Sequence, residues 1–302
     1  MGRIKVALDD TLVWLENGGA TRLAAPEFKG RARAWERLAM RICVIGAGSI
    51  GGLLAAKLAR AGEEVSVIAR GTHLEAIKRD GLRLIEEGGG DFAAKVAATD
   101  KITDLGAQDC VILGMKAHQV AAVAAEVPAL LDRDATILTA QNGIPWWYFF
   151  KHGGEHEGRR LEAVDPGGVI ADHLPVDRVI GSVVYAAAEI VAPGVIKHGE
   201  GNRFSLAEID NSSTPRVAAL AEMLRRGGFK APVVTDIRAE IWMKLWGNLS
   251  LNPVSALTHA TLEDICRYPP TRGLVARMMA EAQAIGEAEL WRKLGDGVRK
   301  AA

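Results

Sequence analysis

A glycine-rich segment at residues 46–51 has the spacing of a loop that binds the phosphates of a dinucleotide. Its residues are Gly46, Ala47, Gly48, Ser49, Ile50 and Gly51. In a GxGxxG pattern the first glycine permits a tight turn, the second lets the backbone approach a pyrophosphate, and the third lets a helix pack against its strand. The helix N-terminus adds N–H groups and partial positive charge. A glycine-rich turn without a ligand is the alternative.

The elements around the segment favour the dinucleotide site. Arg41–Ile45 is a short apolar run typical of a central parallel strand, a helical pattern follows as far as Gly62, and Val65–Ala69 predicts a second strand. A lone GxGxxG is weak evidence, but between two strands with this helix it indicates a Rossmann-type domain.

The residue after the second predicted strand indicates which dinucleotide would bind. An NAD site places Asp or Glu there for the ribose 2′-hydroxyl, whereas this chain has Arg70. Because a guanidinium pairs well with a phosphate, the position favours NADPH/NADP. A solvated surface arginine is the alternative.

Two further buried strands end in polar residues. Cys110–Gly114 runs into Lys116, and Thr136–Ala140 runs into Asn142. Ligands of open α/β sheets bind outside the carboxyl ends of the strands, so both side chains are predicted at the cofactor and substrate crevice. The alternatives are a solvated loop lysine and an ordinary Asn-Gly turn.

A helix predicted over 237–251 carries Lys244 and Asn248, and Asn252 follows four residues later. At about 100° per residue the asparagines fall inside its apolar face and Lys244 falls at the margin. Buried amides need partners, which could be protein groups or a polar ligand. In the competing interpretation Glu240 pairs with Lys244 at i,i+4 and the amides bond the backbone. Pro253 is expected to kink or end the helix.

The remaining patterns predict an α/β protein. A hairpin is expected around Gly88–Gly90 and an alanine-rich helix over 120–131. Consecutive strands over 179–191, 195–198 and 203–206 suggest an antiparallel extension of the parallel sheet. A helix over 216–226, a short strand over 232–234 and a smaller all-α C-terminal domain complete the predicted fold.

Composition excludes several classes of protein. The 302 residues contain 37 Lys plus Arg and 37 Asp plus Glu, so no nucleic-acid partner is predicted, and no apolar run is long enough to span a membrane. Cys43, Cys110 and Cys266 are too sparse for a disulfide framework, which favours a cytoplasmic location. The HxxEH match at His152–His156 contains two glycines that disfavour a helix, so no metal is predicted.

These motifs together resemble the ketopantoate reductase (2-dehydropantoate 2-reductase) family. The segments on which the resemblance depends are GAGSIGG, Arg70, MKAHQ, AQNGIPWW and EIWMKLWGNLSLNPVSALT, in that order. The resemblance covers about residues 40–285. It implies that NADPH delivers a hydride to the C2 ketone of 2-dehydropantoate, giving pantoate on the route to pantothenate and coenzyme A.

The resemblance also implies roles for particular residues. Lys244 would be the catalytic lysine, Asn248 and Asn252 would hold the substrate, and Lys116 and Asn142 would contact the cofactor and the reacting centre. Hydride addition to a ketone builds alkoxide charge, and a nearby ammonium stabilises that charge and can supply the proton, help typically worth ~10²–10⁴ in rate.

Three domains are predicted. Residues 1–39 form an extension that is poorly ordered or not native, 40–235 the dinucleotide-binding domain, and 236–302 a helical substrate domain that looks truncated, because a serine and a glutamate that bind substrate late in the family's sequence have no counterpart. A weakly active or inactive NADP-binding relative and a reductase of another 2-oxo acid therefore remain alternatives. The sequence also leaves a homodimer open.

Overall fold

A computed structural model describes residues 4–8, 11–16, 19–21, 39–153 and 155–289. The chain divides into two compact units, residues 1–33 and residues 34–302. In the first unit β1 (Ile4–Leu8), β2 (Thr11–Glu16) and β3 (Gly19–Thr21) form an antiparallel sheet. The turn that RARAWERL at 31–38 suggests lies outside the described residues. The predicted domain boundaries stay predictions.

The second unit is built on a sheet of mainly parallel strands. Its strands, with those of a smaller sheet, are β4 (Arg41–Ile45), β5 (Glu64–Ile68), β6 (Leu82–Ile85), β7 (Asp91–Ala94), β8 (Ala97–Thr99), β9 (Gln108–Leu113), β10 (Leu131–Thr139), β11 (Val179–Val184), β12 (Ala188–Ala192), β13 (Val195–His198) and β14 (Phe204–Glu208). Seven strands follow the order β14-β11-β10-β9-β4-β5-β8, and only β14 runs antiparallel to its neighbour. The predicted Rossmann-type sheet with an antiparallel extension is confirmed.

The antiparallel region differs from the prediction in detail. The run over 179–191 is two strands, because the chain leaves the large sheet after Val184. β12 and β13 then join the hairpin β6–β7 in a four-stranded sheet of order β12-β13-β6-β7, so only β14 extends the large sheet. β11 is wholly buried whereas β12 is mostly exposed, a difference of environment that their similar apolar composition does not reveal.

Seven α-helices are present among the described residues of the second unit. They are α1 (Ser49–Arg60), α2 (Gly71–Asp80), α3 (Val169–His173), α4 (Pro215–Arg226), α5 (Ile237–Thr258), α6 (Leu262–Arg267) and α7 (Pro269–Glu289). The α-helix expected over 120–131 was wrong: two short 3₁₀ segments, Ala117–Ala122 and Val127–Leu130, take its place. Pro128 lacks an N–H for a continuous helix. The strand expected over 232–234 is only a bridge between Leu206 and Val233.

Helix α5 links the sheet to the C-terminal helices. Asp236 caps it by accepting from Arg238 N and Ala239 N, and its first apolar residues lie in the core under the large sheet. Of the two outcomes expected at Pro253, the end of the helix was wrong, because α5 continues to Thr258. The turn that contains Pro253 is held by packing, because Val254 is buried in a small core shared with α6 and α7. No helix in the described part of the chain is both long and apolar enough to cross a membrane.

Candidate active site

The glycine-rich segment forms the turn between β4 and α1. Gly46 has a φ of +93°, and a Cβ there would lie 2.9 Å from Met115 Cβ, so only glycine suits this position. A Cβ on Gly51 would lie 2.0 Å from the Gly46 carbonyl oxygen, so the helix can approach the strand only at a glycine. Gly48, by contrast, has open space beside it. No side chain caps the N-terminus of α1 at Gly48, so its first N–H groups are available to a ligand.

A first cleft of about 500 Å³ lies on one side of this turn. The turn residues Gly46, Ala47 and Gly48 line it together with Arg70, an exposed side chain without an ion pair among the described residues. His73 also lines the cleft and braces the turn: its Nε2 lies 2.7 Å from the Ala47 carbonyl oxygen. An anion bound in this cleft would meet one uncompensated guanidinium.

A second cleft of about 420 Å³ lies on the other side and shares Gly46 and Gly48 with the first. Its other lining residues include Ser49, Ile50, Lys116 and Asn142. The Asn142 side-chain Oδ1 accepts from Val184 N at 3.3 Å, which leaves the side-chain amide hydrogens for a ligand. Four strands of the large sheet, β4, β9, β10 and β11, end at this cleft, as the open-sheet rule predicts.

Lys244 stands beside the end of β11. Its Nζ lies 4.6 Å from the centroid of the Tyr185 ring, and Tyr185 directly follows Val184, which lines the second cleft. The side chain is half-buried, and this burial lowers the pKa of Lys244 below that of an ordinary lysine. The competing i,i+4 pair with Glu240 is not formed, because that carboxylate binds Arg203 instead.

The two asparagines follow Lys244 along α5 but differ in exposure. Asn248 is half-buried, whereas Asn252 is exposed, so the expectation that Asn252 lies inside the apolar face was wrong. The buried face turns away from this position, as Ser250 and Val254 show on either side of it. Among the described residues neither asparagine side chain has a hydrogen-bond partner, so both amides are available to a polar ligand.

Comparison with known proteins identifies the family. A family model for ketopantoate reductase PanE/ApbA matches residues 42–211, and the model for the C-terminal part of the same family matches residues 236–299. The chain belongs to the ketopantoate reductase family. A 2-dehydropantoate 2-reductase from Mesorhizobium japonicum is 54% identical over 250 residues, covering 82% of this chain and 76% of the relative. The family consists of oxidoreductases acting on a CH–OH group and uses NADPH.

Solved structures agree with the ketopantoate reductase assignment. A protein from Ralstonia solanacearum MolK2, assigned to the ketopantoate reductases, matches with a TM-score of 0.80 and 43% identity over 83% of this chain and 77% of its own. A PanE/ApbA family ketopantoate reductase from Ralstonia eutropha JMP134 matches with a TM-score of 0.69 and 26% identity, covering 83% and 75%. D-mandelate dehydrogenase with NADH and anilino(oxo)acetate, at 21% identity and a TM-score of 0.68, shares the fold.

The predicted site residues fall into two groups by their position relative to the two clefts. Those that line one or both clefts are Gly46, Ala47, Gly48, Ser49, Ile50, Arg70, Lys116 and Asn142. Gly51 lies beneath the turn, and Lys244, Asn248 and Asn252 lie on α5, outside the residues that line the clefts. The roles expected of all these residues stay predictions.

Sequence reasoning missed two residues around this candidate site. His73 spans from the glycine turn to the β12–β13 turn, where its Nδ1 accepts from Gly194 N at 2.9 Å. Tyr185 supports Lys244, and its pKa is raised to about 12 by burial and by the carboxylate of Glu240. Tyr185 follows a buried strand as Lys116 and Asn142 do, so the rule that selected those residues would also have selected it.

Proposed function

We propose that this chain reduces the 2-oxo group of 2-dehydropantoate with NADPH, giving pantoate. One observation carries the proposal: the half-buried amine of Lys244 lies over the ring of Tyr185. Tyr185 follows Val184, whose N–H binds Asn142 at the second cleft. A cation beside a dinucleotide-sized crevice suits the reduction of a carbonyl group.

The two clefts fit a phosphorylated dinucleotide. The open space at Gly48 leaves room for a pyrophosphate at the N-terminus of α1, where N–H groups and the helix dipole favour negative charge. Arg70 would hold the 2′-phosphate that distinguishes NADPH from NADH. Lys116 and Asn142 would contact the cofactor on the other side of the turn. When bound, NADPH supplies the hydride.

The protein's own groups would handle charge and orientation. As the ketone is reduced, negative charge develops on its oxygen, and the Lys244 ammonium stabilises that charge and donates the proton. Asn248 and Asn252, whose amides have no partner in the described part of the chain, would bond the carboxylate and hydroxyl of the substrate. Holding both reactants in one crevice adds a proximity contribution.

We place this reaction in pantothenate and coenzyme A biosynthesis, in the cytoplasm. The support is the identity to the Mesorhizobium japonicum 2-dehydropantoate 2-reductase together with the family match over both parts of the chain.

The test is NADPH oxidation, followed by absorbance, with 2-dehydropantoate as substrate. We expect turnover that requires the 2-oxo acid and falls by ~10²–10⁴ in Lys244→Ala, the range typical of general-acid help. Lys230→Ala, which removes an exposed lysine that lines neither cleft, serves as the control and should keep parental activity. Full activity of Lys244→Ala would refute the role of the lysine, and absence of turnover with a folded, NADPH-binding protein would refute the activity.

A further inference from the structure

Two cations and one carboxylate surround the ring of Tyr185. Lys244 Nζ lies 4.6 Å and Arg203 Cζ 5.0 Å from the ring centroid. The carboxylate belongs to Glu240, whose Oε1 accepts from Arg203 Nη2 and from Ser205 Oγ, both at 2.7 Å. Among the described residues, no carboxylate lies within salt-bridge distance of Lys244.

The pairing around Glu240 departs from what helix geometry alone favours. Glu240 and Lys244 lie one turn apart on α5, with the glutamate on the N-terminal side, which is the better orientation for an i,i+4 ion pair. The carboxylate is held instead by Arg203, just before β14, and by Ser205, on β14. This strand packs against α5. Tertiary contacts have therefore overridden the local pair.

The partner that Glu240 takes decides whether the charge of the Lys244 ammonium is available to a substrate. An ammonium paired with Glu240 would be partly neutralised, and its protons would be engaged. A substrate that carries a carboxylate and develops charge on its ketone oxygen would have to compete with that pair. With Glu240 held by Arg203, the ammonium keeps its full charge, and an orienting aromatic ring supports it.

We propose that Arg203 is a positioning residue, which holds Glu240 away from Lys244 and so keeps the Lys244 ammonium available to the substrate. This inference rests on the proposed function, since it assumes that Lys244 meets the 2-oxo acid. It assigns Arg203 no contact with substrate or cofactor.

The kinetic test uses Arg203→Met, which removes the charge but keeps an apolar stem. Glu240 then loses its cationic partner and keeps the weaker bond from the neutral Ser205 hydroxyl, so it can pair with Lys244. We expect kcat/KM to fall by about tenfold, part of the ~10²–10⁴ that a general acid contributes. The double variant Arg203→Met/Glu240→Gln removes the competing carboxylate and should recover most of the loss. Arg203→Lys, which keeps a cation for Glu240, should stay within about threefold of the parent.

A structural role for Arg203 gives the opposite pattern. The double variant would then be no more active than the single one, and that result overturns the proposal. Arg83→Met is the matched control, because Arg83 also pairs with a carboxylate, that of Asp91, and lies in the smaller sheet. Should Arg203→Met fail to fold, Arg203→Gln removes the same charge with a polar side chain, and the same rescue is expected.

A second readout needs no turnover. The pH dependence of labelling of Lys244 by an amine-reactive reagent, followed by mass spectrometry of its peptide, reports the pKa of this side chain. A neighbouring carboxylate raises the pKa of a lysine, so the labelling curve should shift to higher pH in Arg203→Met and return in the double variant. An unchanged curve overturns the inference, whatever the activity. Absence of turnover by a folded, NADPH-binding protein with a shifted curve would instead refute the proposed function and leave the Arg203–Glu240–Lys244 coupling standing.

Discussion

The glycine turn and the surroundings of Lys244 are built by different means. At the turn, shape comes from the backbone within a few residues: a positive φ at Gly46 and a helix that approaches at Gly51. Around Lys244, the ring of Tyr185 and the partner of Glu240 come from strands far away in sequence. The proposed cofactor side of the site is therefore a local structure, whereas the proposed reducing side depends on long-range packing.

The largest effect should come from breaking the anchor of α5. Arg238 is almost fully buried and donates to the carbonyl oxygens of Tyr148, Phe150 and Ile209 at 2.8, 2.8 and 2.6 Å. Arg238→Met removes the donor to all three carbonyls. At roughly 1–3 kcal/mol for each lost bond before relaxation, we expect the free energy of unfolding to drop by about 3–5 kcal/mol. Chemical denaturation measures it, with exposed Arg225→Met as the control. A change below about 1 kcal/mol would contradict the anchor.

A pair of glycine variants tests how local the turn is. Gly51→Ala places a methyl group against the Gly46 carbonyl and should lower the free energy of unfolding by about 1–3 kcal/mol through overpacking. Gly48→Ala has open space for its methyl, so stability should be nearly unchanged while NADPH binding weakens, because the methyl enters the cleft. Denaturation and fluorescence titration separate the two effects. An equal loss of unfolding free energy in both variants would contradict the prediction that only the methyl group at residue 51 is overpacked.

The cofactor preference should depend on one guanidinium. Arg70→Ala removes the uncompensated cation of the first cleft, and loss of a charge-assisted bond of ~1.5–3 kcal/mol predicts an NADPH affinity about 10- to 100-fold weaker. The affinity for NADH, which lacks the 2′-phosphate, should hardly change. Titration of both dinucleotides against parent and variant gives the comparison. Parallel loss of both affinities would place Arg70 elsewhere than at the 2′-phosphate.

The smallest expected effect is a displaced pH profile. Burial lowers the pKa of Lys244, and the protonated amine is the form that donates a proton. Activity should therefore be full below this pKa and fall as pH rises through it, at a lower pH than an ordinary lysine with a pKa of 10.5 would give. The profile of kcat/KM, with NADPH affinity measured over the same range as the control, tests this. A profile that stays flat up to 10.5 would contradict it.

The parallel core and the glycine turn could be predicted from the sequence, because the patterns that indicate them lie within a few residues. Buried strands are continuous apolar runs, and a positive φ or a close helix–strand contact selects glycine at a particular position. The sequence did not support the division of 179–191 into two strands, the 3₁₀ segments in place of a helix over 120–131, or the continuation of α5 past Pro253. Pro128 is a local reason for the 3₁₀ segments, whereas contacts with distant residues decided the other two outcomes against local propensity.

By itself, the sequence determined the order of strands and helices in the core, the dinucleotide turn and the position of Lys244 on a helix, since these follow from spacing along the chain. Only the tertiary structure decided that Glu240 pairs with Arg203 and not with Lys244, that the ring of Tyr185 lies beside the Lys244 amine, and that Asn252 is exposed. An ion pair is chosen by competition among all the charges within reach. Folding, not sequence separation, decides which charges those are.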